Sequence, residues 1–231
     1  MSICSTHDDY FAGHIEERYG IPFLIRSIPV GVRNVSEWLR AIARFFGKEK
    51  QAEQLIERET NDLESAVAPY REVLKGKRAF ITGGEIRVLA MAELLQDLGM
   101  KIIGLKGYHF DRFGEEALHE FAENEEVPFT IGAGQPFEQA NLLERLKPDI
   151  FVGHVGGNAS AAKQGIPVFP LFGPGAHYMG FTGIFEIARR MARIVRNPMF
   201  NRNLAAHTRL PYFDSWYKED PFSHIVKGNA A

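Results

Sequence analysis

The stretch that most limits how this chain folds lies near its middle. From Lys77 through Phe80, Ile81 and Thr82 a short apolar run ends in the pair Gly83-Gly84. Val88, Met91, Ala92 and Leu95 then recur at helical spacing until Gly99, and a second apolar run, Lys101 to Leu105, begins at once. The pattern predicts a β-turn-α-β unit. Strands joined by a helical crossover lie parallel, and helices cover both faces of their sheet. The loops at the carboxyl ends of such strands line one crevice, which is where open α/β sheets bind ligands.

The same alternation continues downstream. Strands are expected near residues 78–82, 101–105, 128–131, 149–153 and 167–171, with helices near 88–98, 114–124, 136–147 and 158–164 between them. Pro136 suits the first turn of its helix and Pro148 ends it. The fold class is therefore α/β, a Rossmann-like parallel sheet with helices on both faces, placed at residues 76–198.

Residues 1–47 read as a partial second α/β element. A polar loop leads to a short helix, His14 to Tyr19, stopped by Gly20 and Pro22; Phe23 to Ile28 follows as a strand. Asn34 or Ser36 then caps a helix whose stripe of Trp38, Leu39, Ile42, Ala43 and Phe46 ends at Gly47. Residues 48–75 form a long, charged connecting helix that Pro69 is expected to kink or shorten by a turn. Its alternating charges read as a solvated face.

A last helix, Thr182 to Arg196, opposes Ile184, Ala188, Met191 and Val195 to Arg189, Arg190, Arg193 and Arg196. The arginine row suits a phosphate grip, but a solvated or partner-facing surface is the commoner use of such a row. In the tail, residues 199–231, periodicity lapses and aromatic residues accumulate (Phe200, Tyr212, Phe213, Trp216, Tyr217, Phe222), as in segments that wrap over their own domain or a partner subunit.

With 231 residues, 45% of them hydrophobic, the chain buries a substantial core. A formal net charge of −2 gives no global attraction to nucleic acid or to a membrane surface. No run is long enough to span a bilayer and no signal-peptide pattern opens the chain, so a cytoplasmic protein is expected, without nucleic-acid or membrane partners. Cys4 is the only cysteine, which excludes an intrachain disulfide or an all-cysteine metal site within one copy.

Every strand of the main domain runs into a glycine-rich loop: Gly83-Gly84; Gly107 before Tyr108 and His109; Gly132 and Gly134; His154 before Gly156-Gly157; Gly173 and Gly175 before His177. Glycine lets backbone approach a bulky ligand, although tight strand-to-helix turns use it anyway. His109, His154 and His177 follow different strands and are expected on one rim, where they suit a metal, a proton relay or an anionic substrate; each alone reads equally as a hydrogen-bonded structural histidine. Gly83-Gly84 resembles a phosphate-binding turn, yet lacks the dinucleotide and Walker patterns, and Glu85 would repel a phosphate. A nucleotide or other phosphate-ligand enzyme stays open as an alternative. Serine-hydrolase and zinc-protease motifs are absent.

Several segments together carry a family resemblance. They are Cys4 followed at fixed spacing by Tyr10 and by His14 to Pro22, then Glu37 to Arg44, Asp97 to Gly104, Leu146 to Ile150 and Gly180 to Ala188. The chain resembles the nitrogenase component 1 family, and most of all the C-terminal half of the molybdenum-iron protein α chain. The resemblance implies a subunit of a nitrogenase-like oxidoreductase in which Cys4 ligates an iron-sulfur cluster or an iron-sulfur-based metallocofactor; a thiolate is a soft ligand suited to that chemistry. It also implies that Arg87 and Phe110 line the cofactor pocket beside Gly83, Gly84, His109, His154, Gly156, Gly157 and His177. The implied partners are a second component 1-like chain or a second copy of this one, and an ATP-dependent iron-sulfur reductase.

Three departures accompany it. Pro170 stands where the family places a histidine ligand, with His177 seven residues later. The family's lysine near the cofactor's organic acid falls around Gly156 to Asn158, where no lysine stands. The family's N-terminal domain has no counterpart before Cys4, so the chain is expected to complete its site with other chains and not to be active alone. A non-catalytic cluster carrier or assembly scaffold is the first alternative.

Overall fold

In the computed structural model, residues 5–24, 28–110, 115, 118–119, 127–132, 135–153, 155–171 and 178–220 are described. Strand β1, Arg78–Gly83, is buried at every residue after Arg78. A strand with no exposed face belongs at the centre of a sheet covered on both sides. Here β1 pairs in parallel with β2, Lys101–Gly107, on one side and with β4, Ile150–Gly153, on the other. Strand β3, Phe129–Ile131, lies outside β2, and β5, Val168–Pro170, lies outside β4. The order is β3-β2-β1-β4-β5, with every pairing parallel. All five expected strands are present. Strand order reverses between β1 and β4, which places the switch-point crevice at their carboxyl ends.

Each face of the sheet has its own apolar layer. On one, Ala79, Ile81, Leu105 and Val152 meet helix α4, Glu85–Asp97, through Val88, Met91 and Leu95. The same layer takes in α3, Glu49–Leu74, through Leu63 and Val67, and α7, Gly180–Arg196, through Ile184, Ala188 and Met191. On the other, Phe80 and Phe151 stack with ring centroids 6.0 Å apart, against Leu142 and Leu143 of α5, Pro136–Leu146, and Ala161 of α6, Val155–Lys163. Gly104 serves this layer: a Cβ there would lie 2.5 Å from the Phe80 ring. The α4 crossover ends where expected, with Gly99 at φ +80° and the Met100 amide donating to the Leu95 carbonyl.

Ahead of the sheet the structure departs from several expectations. Helix α1, Ser5–Tyr19, begins well before His14, and Gly20 does stop it, in left-handed backbone with its amide donating to Glu16. Phe23, Leu24 and Ile28 are not in a strand, and residues 25–27 lie outside the described residues. Helix α2, Val32–Phe46, starts before both expected caps: the Asn34 amide donates to the Val30 carbonyl and the Ser36 hydroxyl to the Val32 carbonyl, so both act one turn inside the helix. Gly47 ends it as expected, but Phe46 is exposed and does not continue the buried stripe.

Helix α3 runs without interruption through Pro69 to Leu74, and no last turn is split off. Pro69 is exposed, so water can serve the Ser65 carbonyl that lacks its usual donor, while buried Val67 and Leu74 hold the helix on either side. The tail forms α8, Met199–Ala206, and α9, Asp214–Lys218, and it folds back on its own chain. Trp216 Nε1 donates to the Phe137 carbonyl at 2.8 Å, the Asn141 amide donates to the Glu219 carbonyl at 2.7 Å, and Arg145 pairs with Asp220 at 3.1 Å. Tyr217 is buried beneath them. Among the described residues no helix is long and apolar enough to cross a membrane.

Candidate functional site

The carboxyl rim of the sheet is held together by backbone hydrogen bonds between successive strand ends. The Tyr108 amide donates to Gly83, Gly132 to Gly107, and Leu171 to Gly153, at 2.9, 2.9 and 2.7 Å. These bonds tie the ends of β1, β2 and β3 to one another, and the end of β4 to that of β5. Gly84 sits at the head of α4 and its carbonyl accepts from the Arg87 and Val88 amides, both at 3.0 Å. The nearest atom to a Cβ on Gly84 would be His109 Nε2 at 3.8 Å, so the β1 turn and the imidazole stand about one methyl group apart.

The other rim glycines have different reasons. A Cβ on Gly83 would lie 2.6 Å from Leu171, and one on Gly153 would collide with the Phe151 ring and with Asn158 Oδ1. On Gly157 it would lie 2.8 Å from Gln139 Nε2, the group that donates back to the Gly157 carbonyl. These three glycines allow the rim to close on itself. Gly156 lies beside Gly157 in the first turn of α6. Phe110 is 56% exposed at the end of the β2 turn, where His109 is exposed as well, and Arg87 is half-buried on the first turn of α4.

Beneath this surface lies a set of buried polar groups. Glu85 is 0% and Lys106 1% exposed, with Thr82, Glu138 and Gln139 also buried. Lys106 closes β2, and its Nζ donates to the Gln135 carbonyl at 3.2 Å. Burial holds its pKa below the ordinary lysine value, with the Glu138 carboxylate working in the other direction. Burial also raises the Tyr108 phenol above its usual value, so it stays a proton donor. Glu85 stands in the first turn of α4, where the helix dipole favours a carboxylate.

The rim thus presents the hydrogen-bond donors Arg87, Tyr108 and His109 at its surface, with Lys106 and the Glu85 carboxylate buried beneath them. That donor set suits the wall around an anionic group and is not a set of soft ligands. Among the described residues no three His, Cys, Asp or Glu side chains gather as a metal site. Cys4, His154 and His177 lie outside the described residues, so the expected convergence of three histidines reduces to the placement of His109. Lys106 and Tyr108 escape the sequence reading. A charged residue directly after the apolar run Lys101 to Leu105 was the available signal, since a lysine that continues a central strand must be buried.

The sequence model of the nitrogenase component 1 type oxidoreductases matches residues 1–196. The chain is 31% identical to the nitrogenase iron-molybdenum cofactor biosynthesis protein NifE of Rippkaea orientalis, over 87% of its own length and 43% of that protein. It is 28% identical to the nitrogenase molybdenum-iron protein α chain of Methanococcus maripaludis, over 84% of its own length and 41% of that chain. It therefore spans less than half the length of these curated relatives. Among solved structures, nitrogenase Cp1 at pH 5 superposes with a TM-score of 0.68 and 21% identity, covering 83% of this chain and 45% of that one, a likeness of fold. On the extent of the family match, this chain belongs to the nitrogenase component 1 type oxidoreductases.

Proposed function

We propose that this chain is one subunit of a nitrogenase-like oxidoreductase assembly and helps to hold an iron-sulfur metallocluster or a related large redox cofactor. The observation that carries the reading is the family match from residue 1 to residue 196, which takes in both the Cys4 segment and the whole crevice-forming sheet. Cys4 would supply the thiolate ligand. Lys106, Arg87, Tyr108 and His109 would place positive charge and hydrogen bonds around an anionic group, and Gly84, Gly156 and Phe110 would form the wall against it. Gly83 and Gly157 keep the turns tight, while His154 and His177 are the candidate further ligands. A bound cluster supplies low-potential electron transfer. Its electrons would come from a separate ATP-dependent iron-sulfur reductase, and a second component 1-like chain or a second copy would close the site.

A second reading is favoured by two specific observations. Two relatives, from Rippkaea orientalis and Klebsiella pneumoniae, are cofactor biosynthesis proteins. Pro170, whose side chain has no ligating atom, ends β5 where the resemblance places a histidine. A cluster held by fewer protein bonds is easier to hand on, which suits a carrier or assembly scaffold.

Iron and acid-labile sulfide, measured with an absorption spectrum on protein purified without oxygen beside its operon partners, test both readings. Iron is expected in the wild type and absent from Cys4→Ala. Reductase- and ATP-dependent turnover then identifies the catalytic subunit, whereas transfer of the cluster without turnover identifies the carrier. Iron-free protein in both preparations would overturn the proposal and turn attention to phosphate-bearing ligands.

A further inference from the structure

The arginine row of α7 is not a uniformly solvated surface. Three of its members, Arg189, Arg190 and Arg193, share with Phe169, Pro170, Tyr178 and Ile194 the wall of a cavity of about 430 Å³ between α7 and the edge strand β5. Among the described residues none assigned to the switch-point crevice lines it, and Pro170, where the resemblance places a histidine ligand, does. Its volume lies in the range that holds a small organic molecule.

The lining has two unlike sides. One is apolar and rigid: the Phe169 and Tyr178 rings meet edge to face with centroids 5.9 Å apart, and the Tyr178 hydroxyl donates to the Pro170 carbonyl at 2.9 Å. The other is cationic. The Glu186 carboxylate accepts from Arg189 at 2.8 and 3.1 Å and from Arg190 at 3.1 Å, so one carboxylate answers two guanidinium groups. Arg193 has no ion pair among the described residues. Three guanidiniums against one carboxylate leave an excess of two positive charges on the wall, and Glu186 holds two of the three in fixed orientation. Guanidinium forks match the oxygen pairs of phosphate and carboxylate groups.

We propose that this cavity is a second binding site, separate from the switch-point crevice, for a small organic anion with at least two negative charges and a short apolar body. The oxyanion groups meet Arg190 and Arg193, and the body lies against Phe169, Tyr178 and Ile194. Among the described residues the site shares with the cluster reading only Pro170, whose side chain has no ligating atom, and its test turns on Arg193 and Glu186, which that reading does not use.

Titration calorimetry on the full chain tests it, with phenyl phosphate, benzene-1,3,5-tricarboxylate and inorganic phosphate as probes. Saturable one-to-one binding of an aromatic anion is expected, tighter than inorganic phosphate and weakened as salt rises, since the arginines are partly exposed. Preference between the phosphate and the carboxylate probe identifies which anion the site takes. Arg193→Gln should weaken binding at least tenfold, whereas Arg196→Gln, outside the lining, should leave it unchanged. Glu186→Gln should tighten binding by about threefold, as removal of an opposing charge from a cationic site does. Equal losses in Arg193→Gln and Arg196→Gln would show a general charge effect and overturn the proposal, as would unsaturable binding of every probe. Arg193 is exposed, so its substitution leaves the fold available for the measurement.

Discussion

The central sheet and helix α1 are both regular structure, yet they are held in place by different means. Strand β1 buries every residue after Arg78 and is clasped by strands on both sides and apolar layers on both faces. In α1, Tyr10 and Phe11 are 86% and 66% exposed, and none of the described side chains of the helix belongs to the core. The difference teaches that helix formation and anchoring are separate achievements. A chain whose middle is self-sufficient presents a first helix whose apolar surface has no cover within the described residues.

The sharpest way to break the comparison is to attack the sheet. Phe151→Ala removes a fully buried ring that stacks on Phe80, and the expected cost is about 3–5 kcal/mol. A fall of the urea midpoint with unchanged slope would show it; a loss below about 1 kcal/mol would mean that this layer collapses around the gap and does not hold the sheet. Next comes Gly104→Ala, whose new methyl group would press on the Phe80 ring at 2.5 Å. Overpacking of this kind costs about 1–3 kcal/mol, read from the same denaturation curves. Stability equal to wild type would show that the ring can move aside.

The sheet was legible in the sequence because its signals are local. Paired glycines, helical spacing from Val88 to Leu95 and the stop at Gly99 each act within a few residues, and burial on both faces makes the strands continuous apolar runs. The N-terminal portion misled for the opposite reason. Asn34 and Ser36 have good cap chemistry, but Gly31 already starts the helix and the two side chains bond inside its first turn. At the site, the glycine turns were visible while the reasons for them were not. Gly83 and Gly157 answer to Leu171 and Gln139, neighbours from elsewhere in the chain that only the folded structure supplies. The burial of Lys106 likewise depends on the Pro136–Leu146 helix, some thirty residues on, folding over the end of β2.

Lys106 sharpens the comparison on a smaller scale, since it is a charge that the sheet buries. Its folded-state pKa is lowered by burial, so the unfolded chain binds the proton more readily. Stability should therefore rise with pH from the depressed lysine pKa up to the free value of about 10.4. Lys106→Met removes the buried charge and keeps the length of the side chain, and is expected to gain stability relative to the wild type below the depressed lysine pKa. That gain should shrink as the pH approaches 10, because the wild type loses its penalty there. Urea midpoints of both proteins at pH 7 and pH 9.5 check the sign. A gain that grows with pH would mean that the charged form is the one the fold prefers, paired with Glu138 more strongly than burial disfavours it.

The smallest effect is expected at α1. Replacement of Tyr10 and Phe11 by serine removes two large side chains that already face water, so the stability of the chain by itself should change by less than about 0.5 kcal/mol. The same pair of changes should matter once other chains are present: if a second component 1-like chain or a second copy closes the site, the exposed aromatic surface of α1 is where cover is missing among the described residues, and co-purification of the partner should fall with the double substitution. Denaturation of the isolated chain and recovery of the assembly are thus predicted to respond in opposite proportion to what Phe151→Ala produces. A loss above about 1 kcal/mol in the isolated chain would show that α1 is anchored after all, and the contrast with the sheet would then be one of degree. Unchanged stability together with unchanged recovery of partner chains would place the closing surface elsewhere on the molecule and leave α1 as a tether for Cys4.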